Sequence, residues 1–134
     1  MQVTEILPVL AWAHLELGEV EQAAAVASRA VGRADAQGNH LSLVEALRVQ
    51  GLVALRQERW DDAVRVLEEA VSLACRMRYP FGEARVLHVY GLLHARREEP
   101  GPARRRLQAA LAICTRLGAR LDAERIERVA TTLR

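Results

Sequence analysis

The chain has 134 residues, of which 51% are hydrophobic, and a formal net charge of +2. This length suits one domain with a self-supporting core, and the small charge is no reason by itself to expect nucleic acid as a partner. The chain has neither a signal-peptide pattern nor an apolar run of about 18 residues that could span a membrane. The apolar residues are chiefly Ala, Leu and Val, which favours a helical protein, and we expect it to be soluble and cytoplasmic.

The apolar residues recur at steps of three and four, which predicts seven helices. The first helix is expected to begin near Thr4 and to end at Gly18. The second is predicted from Val20 to Gln37, before Gly38, which suits a left-handed helix cap. These two helices form the first predicted hairpin.

The second hairpin has its own start and stop signals. Ser42 and Glu45 have the spacing of a capping box, which predicts a third helix from Ser42 to Arg56. The fourth helix is predicted from about Asp61 to Arg76, with acidic residues at its start and basic residues at its end, as the helix dipole favours.

The third hairpin and a last helix complete the chain. Pro80 suits the first turn of a fifth helix that extends to about Arg97, and Pro100 starts a sixth helix that Gly118 ends. A seventh helix, about 121–133, has only a narrow apolar stripe, as a helix that caps a stack of repeats requires.

An offset of 40 residues superimposes the three hairpins, so the chain contains repeats at about 1–40, 41–80 and 81–120. The columns that carry this period are Ala23, Ala63 and Ala103; Ala30, Ala70 and Ala110; Leu7, Leu47 and Leu87; Ala11, Gly51 and Gly91; and Gly38, Arg78 and Gly118. A mid-helix Gly costs about 1 kcal/mol relative to Ala, so its recurrence indicates close helix packing. We expect Gly51 to face Ala63 and Ala70, and Gly91 to face the equivalent alanines.

These columns resemble the tetratricopeptide repeat family. Five of the family's positions are matched by Leu47, Gly51, Ala63, Leu67 and Ala70, and again by Leu87, Gly91, Ala103, Leu107 and Ala110. Two features depart from the family: the period is longer than the common one of about 34 residues, and Cys75 and Thr115 stand where the family has a helix-ending proline. The resemblance implies one domain over residues 1–134, an all-α right-handed superhelix of three helical hairpins with a C-terminal capping helix.

In this family the first helix of each repeat lines a concave groove. Carried over position by position, the groove residues are Glu45, Arg48, Leu52, Arg56, Arg85, His88, Leu92, Arg96, Arg125 and Arg128. The resemblance thus implies a basic groove with an aliphatic floor. Arginine binds carboxylates in a bidentate manner, which points to an acidic peptide as the ligand. The alternative is that these arginines are solvated or paired with Glu45 and nearby acids.

The residues present no catalytic, metal or cofactor site. His14 and His94 occupy one repeat column 80 residues apart, too far for a shared metal ion. Cys75 and Cys114 lack metal-ligand spacing and are expected to be buried apolar residues. The run Arg104 to Arg106 spreads around its helix, which disfavours nucleic acid.

We therefore expect a non-catalytic scaffold that binds a protein or peptide. The repeats also look like those of large bacterial signalling and transcription regulators, which implies a regulatory domain. Two alternatives stay open. One is a self-association domain that pairs through its first or seventh helix, and the other is a sensor of small molecules or signal peptides.

Overall fold

The structure, a computed structural model, describes residues 3–133, with side chains from residue 7 onward. Over this range the chain is helical apart from short turns, and the number of helices agrees with the sequence prediction. The helices are α1 Val3–Glu16, α2 Val20–Ala36, α3 His40–Arg56, α4 Trp60–Arg76, α5 Pro80–Arg96, α6 Pro100–Leu117 and α7 Arg120–Thr131. The described part of α1 already includes Val3, so Thr4 is not the cap of this helix.

The start of α3 corrects one prediction. Asn39 is the N-cap of α3, and its side-chain oxygen accepts a hydrogen bond of 3.2 Å from the Ser42 backbone N–H. Ser42 therefore lies inside the helix and is buried, and it does not form the predicted capping box. Asparagine is as good an N-cap as serine, so both residues were candidates and the earlier one forms the cap.

Six turns join the helices, and each contains a residue with left-handed backbone conformation. These residues follow one another every 20 positions: Gly18, Gly38, Glu58, Arg78, Glu98 and Gly118. In each turn a backbone N–H bonds back to the carbonyl five residues earlier, for example Asn39 to Ala34 at 2.9 Å and Ala119 to Cys114 at 2.9 Å. This is the hydrogen-bond pattern of a Schellman helix ending. Within each unit, the connections are so short that consecutive helices run antiparallel.

Three of these six positions carry a side chain where glycine is favoured, which leads to a stability prediction. A non-glycine residue in this conformation costs about 1 kcal/mol, and Glu98, with φ of 58°, also places a negative charge near the carboxyl end of α5. We expect Glu98→Gly to stabilise the protein by about 1 kcal/mol in urea unfolding. Glu98→Ala removes the charge but keeps the Cβ, so it should gain clearly less. An equal gain from both variants would contradict the conformational explanation.

The chain divides into two compact units, Met1–Leu73 and Ala74–Arg134, with the boundary inside α4. In the N-terminal unit α1 packs on α2, and α3 packs on both. Small and branched side chains from all three helices form its core: Leu7, Ala11, Leu15, Ala23, Val26, Ala27, Ala30, Ala46, Val49 and Val53. The prediction of one domain over the whole chain stays a prediction.

Gly51 lies at a close helix approach in this unit, as predicted. A Cβ built on Gly51 would lie 2.6 Å from Leu67 Cδ2 and 2.9 Å from Leu67 Cγ. The atoms nearest to the space that glycine leaves are thus those of the leucine of α4. Gly51 therefore needs to lack a Cβ because a large buried side chain of the next helix lies over it.

In the C-terminal unit, α5 packs on α6, and α7 packs on α6 and α5. Gly91 repeats the arrangement of Gly51, since a Cβ there would lie 2.5 Å from Leu107 Cδ2 and 3.5 Å from the Ala103 carbonyl oxygen. On α7 the buried side chain is Ile126. The seven helices thus pack in sequential antiparallel pairs within their units, in a repeat-like arrangement.

The cysteine prediction was half right. Cys114 is buried, whereas Cys75 is exposed, because it falls near the end of α4, on the outer side of the last turns. Burial raises the pKa of the Cys114 thiol, and partial burial together with the nearby Glu83 carboxylate raises the pKa of the Cys75 thiol. Both thiols are therefore weaker nucleophiles than an ordinary cysteine at neutral pH. None of the described helices is both long enough and apolar enough to cross a membrane.

Candidate functional site

In the N-terminal unit, the predicted groove residue Arg48 is paired with an acidic residue of its own helix. The Arg48 Nε atom lies 3.4 Å from Glu45 Oε2, and both side chains are half-buried on α3. The charge of Arg48 is thereby balanced within its own helix, as the alternative interpretation expected for this pair. Leu52 packs against the core of this unit, and Arg56 is exposed at the end of α3.

The cleft that the structure describes in the N-terminal unit was not predicted. It has a volume of about 210 Å³ and is lined by Ala24, Ser28, Gln50, Val53, Ala54, Gln57, Arg59, Asp62, Arg65 and Val66. Its charged residues are already engaged with one another, since Asp62 lies 2.6 Å from Arg59 and 3.7 Å from Arg65. These contacts occupy the single carboxylate among the residues that line the cleft. We therefore regard the cleft as a gap between packed helices of neighbouring hairpins.

In the C-terminal unit, three of the six predicted groove residues lie apart from the cleft described next. The Arg85 guanidinium sits 5.5 Å from the centroid of the Phe81 ring, one turn earlier on α5, which is cation–π distance. His88 is half-buried on α5, and Arg125 is exposed on α7. The structure therefore does not bring all of the predicted basic residues into one place.

The other three predicted residues, Leu92, Arg96 and Arg128, line a common cleft of about 360 Å³ between α5 and α7. The complete lining is Leu92, Ala95, Arg96, Arg128, Val129 and Thr132. Leu92, Ala95 and Val129 are half-buried and form the floor, while Arg96 and Arg128 are exposed at the rim. The cleft thus combines an apolar floor with one cation from each of two helices.

Helical spacing and the position of α7 explain how this cleft forms. Leu92, Ala95 and Arg96 lie three and four residues apart, so they occupy one face of α5. Arg128, Val129 and Thr132 have the same spacing at the end of α7, which contacts α5. The buried Ile126 side chain fixes which face of α7 turns inward, and that choice places Val129 in the floor.

Two threonine hydroxyls reduce the negative potential at the carboxyl end of α7. Thr131 Oγ1 donates to the Arg128 carbonyl at 2.9 Å, and Thr132 Oγ1 donates to the Val129 carbonyl at 2.6 Å. Unpaired carbonyls at a helix C-terminus repel anions. Because these two carbonyls accept hydrogen bonds, they repel an anion less than unpaired carbonyls would.

A histidine–glutamate contact that was not predicted from the sequence recurs in the first and third hairpins. The Nδ1 atom of His14 is hydrogen-bonded to Glu19 Oε1 at 3.0 Å, and His94 to Glu99 in the same way at 3.0 Å. Each contact joins the end of one helix to the residue just before the next. The signal was present in the sequence, because the glutamates are 80 residues apart just as the histidines are.

The His94 contact belongs to a longer stack of side chains. The His94 ring stacks on the Tyr90 ring, with the two centroids 5.3 Å apart. The Arg106 guanidinium lies 4.0 Å from the centroid of the same Tyr90 ring. The hydrogen bond from His94 lowers the pKa of the Glu99 carboxyl, with Arg97 contributing. These contacts connect α5 to α6 and stabilise the hairpin that carries half of the cleft.

Among the side chains of residues 7–133, no three histidine, cysteine, aspartate or glutamate residues cluster as a metal ion would require. The chemistry that the cleft offers is recognition of an anion beside an apolar group. No known protein-family model matches this chain, and no curated protein matches it.

Proposed function

We propose that this chain is a non-catalytic module that binds an acidic segment of another protein, with the α5–α7 cleft as the contact site. The observation that carries the proposal is the pair Arg96 and Arg128 on opposite sides of an apolar floor. A carboxylate above the floor can accept hydrogen bonds from both guanidinium groups. A neighbouring aliphatic side chain of the ligand would cover Leu92, Ala95 and Val129 and remove them from water.

We further propose that the hairpins form a right-handed superhelix of the tetratricopeptide type. The support is the 40-residue period of Gly, Ala and Leu columns, together with the sequential antiparallel packing of the helices. The likeness to the repeats of bacterial regulators supports a cytoplasmic regulatory domain in a signalling or transcription protein. In such a protein, ligand binding at the cleft would report the presence of a partner.

Charge reversal at the rim tests the proposed ligand. We expect Arg96→Glu and Arg128→Glu each to weaken binding of an acidic, leucine-containing peptide by tenfold or more, because a favourable ion pair becomes a repulsive one. Binding is measured by fluorescence anisotropy against a library of labelled peptides with Asp or Glu next to an aliphatic residue. The affinity of the unmodified protein should also fall as salt is raised, since rim charges are screened.

Arg104→Glu is the matched control, because Arg104 is exposed on α6 and does not line the cleft. This substitution changes the net charge by the same amount as the rim variants. At a salt concentration that screens distant charges, it should leave the affinity for the peptide within about twofold of that of the unmodified protein. An equal loss in Arg104→Glu would show that only net charge matters. Unchanged binding in both rim variants would place the ligand site elsewhere.

A further inference from the structure

The second hairpin differs from its two neighbours in two columns of the 40-residue repeat. The columns read His14, Ala54 and His94, and Glu19, Arg59 and Glu99. In the first and third hairpins the histidine ring is hydrogen-bonded to the glutamate of the same hairpin. The second hairpin therefore lacks the ring and carries a cation where the other two carry a carboxylate.

The cleft of the N-terminal unit lies at this place in the second hairpin. It is bordered by residues of α2, α3 and α4, and both Ala54 and Arg59 line it. Its buried lining residues are Val53, Ala54 and Val66, so its inner wall is apolar. In the third hairpin the residue that corresponds to Ala54 is His94, whose ring lies against Tyr90. The cleft is thus open at the position that an aromatic ring fills one repeat later.

The surroundings of the His94 ring show what this position accepts. Its Nδ1 atom is bonded to Glu99 Oε1 at 3.0 Å. Its Nε2 atom is buried and has no hydrogen-bond partner among the described residues. One edge of the ring therefore meets a charged group, and the other is enclosed without a polar contact. The open cleft has a volume of about 210 Å³, and a cavity of about 150 Å³ accommodates benzene, so a six-membered ring with one small substituent fits.

The charge at the mouth of the cleft indicates the nature of that substituent. Asp62 lies 2.6 Å from Arg59 and 3.7 Å from Arg65, so one carboxylate faces two guanidinium groups. No other acidic residue lines the cleft, which leaves an excess positive charge. The two arginine side chains are 63% and 69% exposed and can be reached from solvent. Guanidinium groups bind carboxylates through paired hydrogen bonds, so the acidic group at this site belongs on the ligand.

We propose that the cleft between α2, α3 and α4 binds a small aromatic carboxylate, with the ring over Ala54 and the carboxylate between Arg59 and Arg65. The ring would cover the apolar wall formed by Val53 and Val66 and remove it from water. The ligand thus supplies the ring that the second hairpin lacks, and the charges of the ring contact are reversed. Because a ligand that binds only the folded state stabilises it, binding would strengthen the second hairpin. The site is separate from the α5–α7 cleft and does not depend on the proposed peptide.

Benzoate is the simplest probe of this site. We expect amide NMR signals of the lining segments of α2, α3 and α4 to shift in a saturable way when benzoate is added at constant ionic strength. Benzamide has the ring without the charge, and acetate has the charge without the ring. Each should bind at least tenfold more weakly than benzoate, because each loses one of the two contacts. The absence of saturable shifts at about 20 mM benzoate would overturn the proposal, since a ligand of this size should be detected by then.

Two substitutions test the placement of the ligand. Ala54→His puts the ring of the neighbouring hairpins into the cleft and should abolish benzoate binding. Arg65→Gln removes the cation that is farther from Asp62 and should weaken benzoate binding at least fivefold. This side chain is exposed, so the variant should fold even if Ala54→His does not.

Arg33→Gln is the matched control, because Arg33 is exposed on α2 and does not line the cleft. It should leave the affinity for benzoate within about twofold of that of the unmodified protein. Circular dichroism checks that the variants are folded. Benzoate binding that persists in a folded Ala54→His variant would overturn the proposal. So would an affinity that Arg65→Gln leaves unchanged, or one that Arg33→Gln lowers equally.

Discussion

Ile126→Ala should destabilise the protein by about 2 to 5 kcal/mol, which is the usual cost of truncating a buried isoleucine to alanine. Ile126 is 1% exposed and is the buried residue of α7. Because no other side chain of α7 is fully buried, the lost contacts are a large part of what keeps this helix folded onto α5 and α6. Urea unfolding followed by circular dichroism gives the loss of free energy of unfolding.

The same variant should also expose the amides of α7 to hydrogen exchange and weaken peptide binding, because α7 carries Arg128 and Val129 of the cleft. Leu121→Ala is the control on the same helix. Leu121 is 66% exposed, so its truncation should change stability by no more than about 0.5 kcal/mol. Similar losses for Ile126→Ala and Leu121→Ala would mean that α7 is not held by its buried residue.

Gly91→Ala is expected to destabilise the protein even though alanine is the better helix former. The new methyl group would lie 2.5 Å from Leu107 Cδ2 and 2.6 Å from Cγ, and Leu107 is buried, so it has little room to move away. Overpacking of this kind costs about 1 to 3 kcal/mol, against a gain of about 1 kcal/mol in helix propensity. The net loss should be up to about 2 kcal/mol in urea unfolding.

Gly32 provides the matched control in a helix interior. A Cβ on Gly32 meets no atom within 4 Å, so Gly32→Ala should stabilise the protein by up to about 1 kcal/mol. In a Leu107→Ala background the Gly91→Ala substitution should lose most of its cost, because the conflicting side chain is gone. A stabilising Gly91→Ala would contradict the close approach of α5 and α6.

Much of the fold was predictable because it depends on local interactions. Apolar spacing defined the helices, and Gly18, Gly38 and Gly118 marked turns that need a left-handed residue. The repeat alignment had already placed Arg78 in the column of Gly38 and Gly118, and its φ of 54° agrees. The start of α3 was misplaced because Asn39 and Ser42 are both good caps, and local preference alone does not choose between them.

The candidate site was predicted less completely, because pairing and proximity depend on distances between side chains. Arg48 and Arg96 both belong to the predicted groove set, yet Arg48 contacts Glu45 of its own helix. Arg96 instead borders a cleft with a residue of another helix. Arg85 and Arg125 also lie in the predicted groove set but outside this cleft, which only the packing of α7 on α5 could decide.

The sequence by itself determined the number of helices, their approximate bounds and which columns must stay small, because helix propensity, capping and the left-handed turns act within a few residues. The tertiary structure alone decided which equivalent residues are covered. Val9 and Val49 are the same amino acid in the same repeat position, and one is 63% exposed while the other is 0% exposed. The difference arises because burial depends on a neighbouring helix, and a column of the sequence does not state whether that neighbour is present.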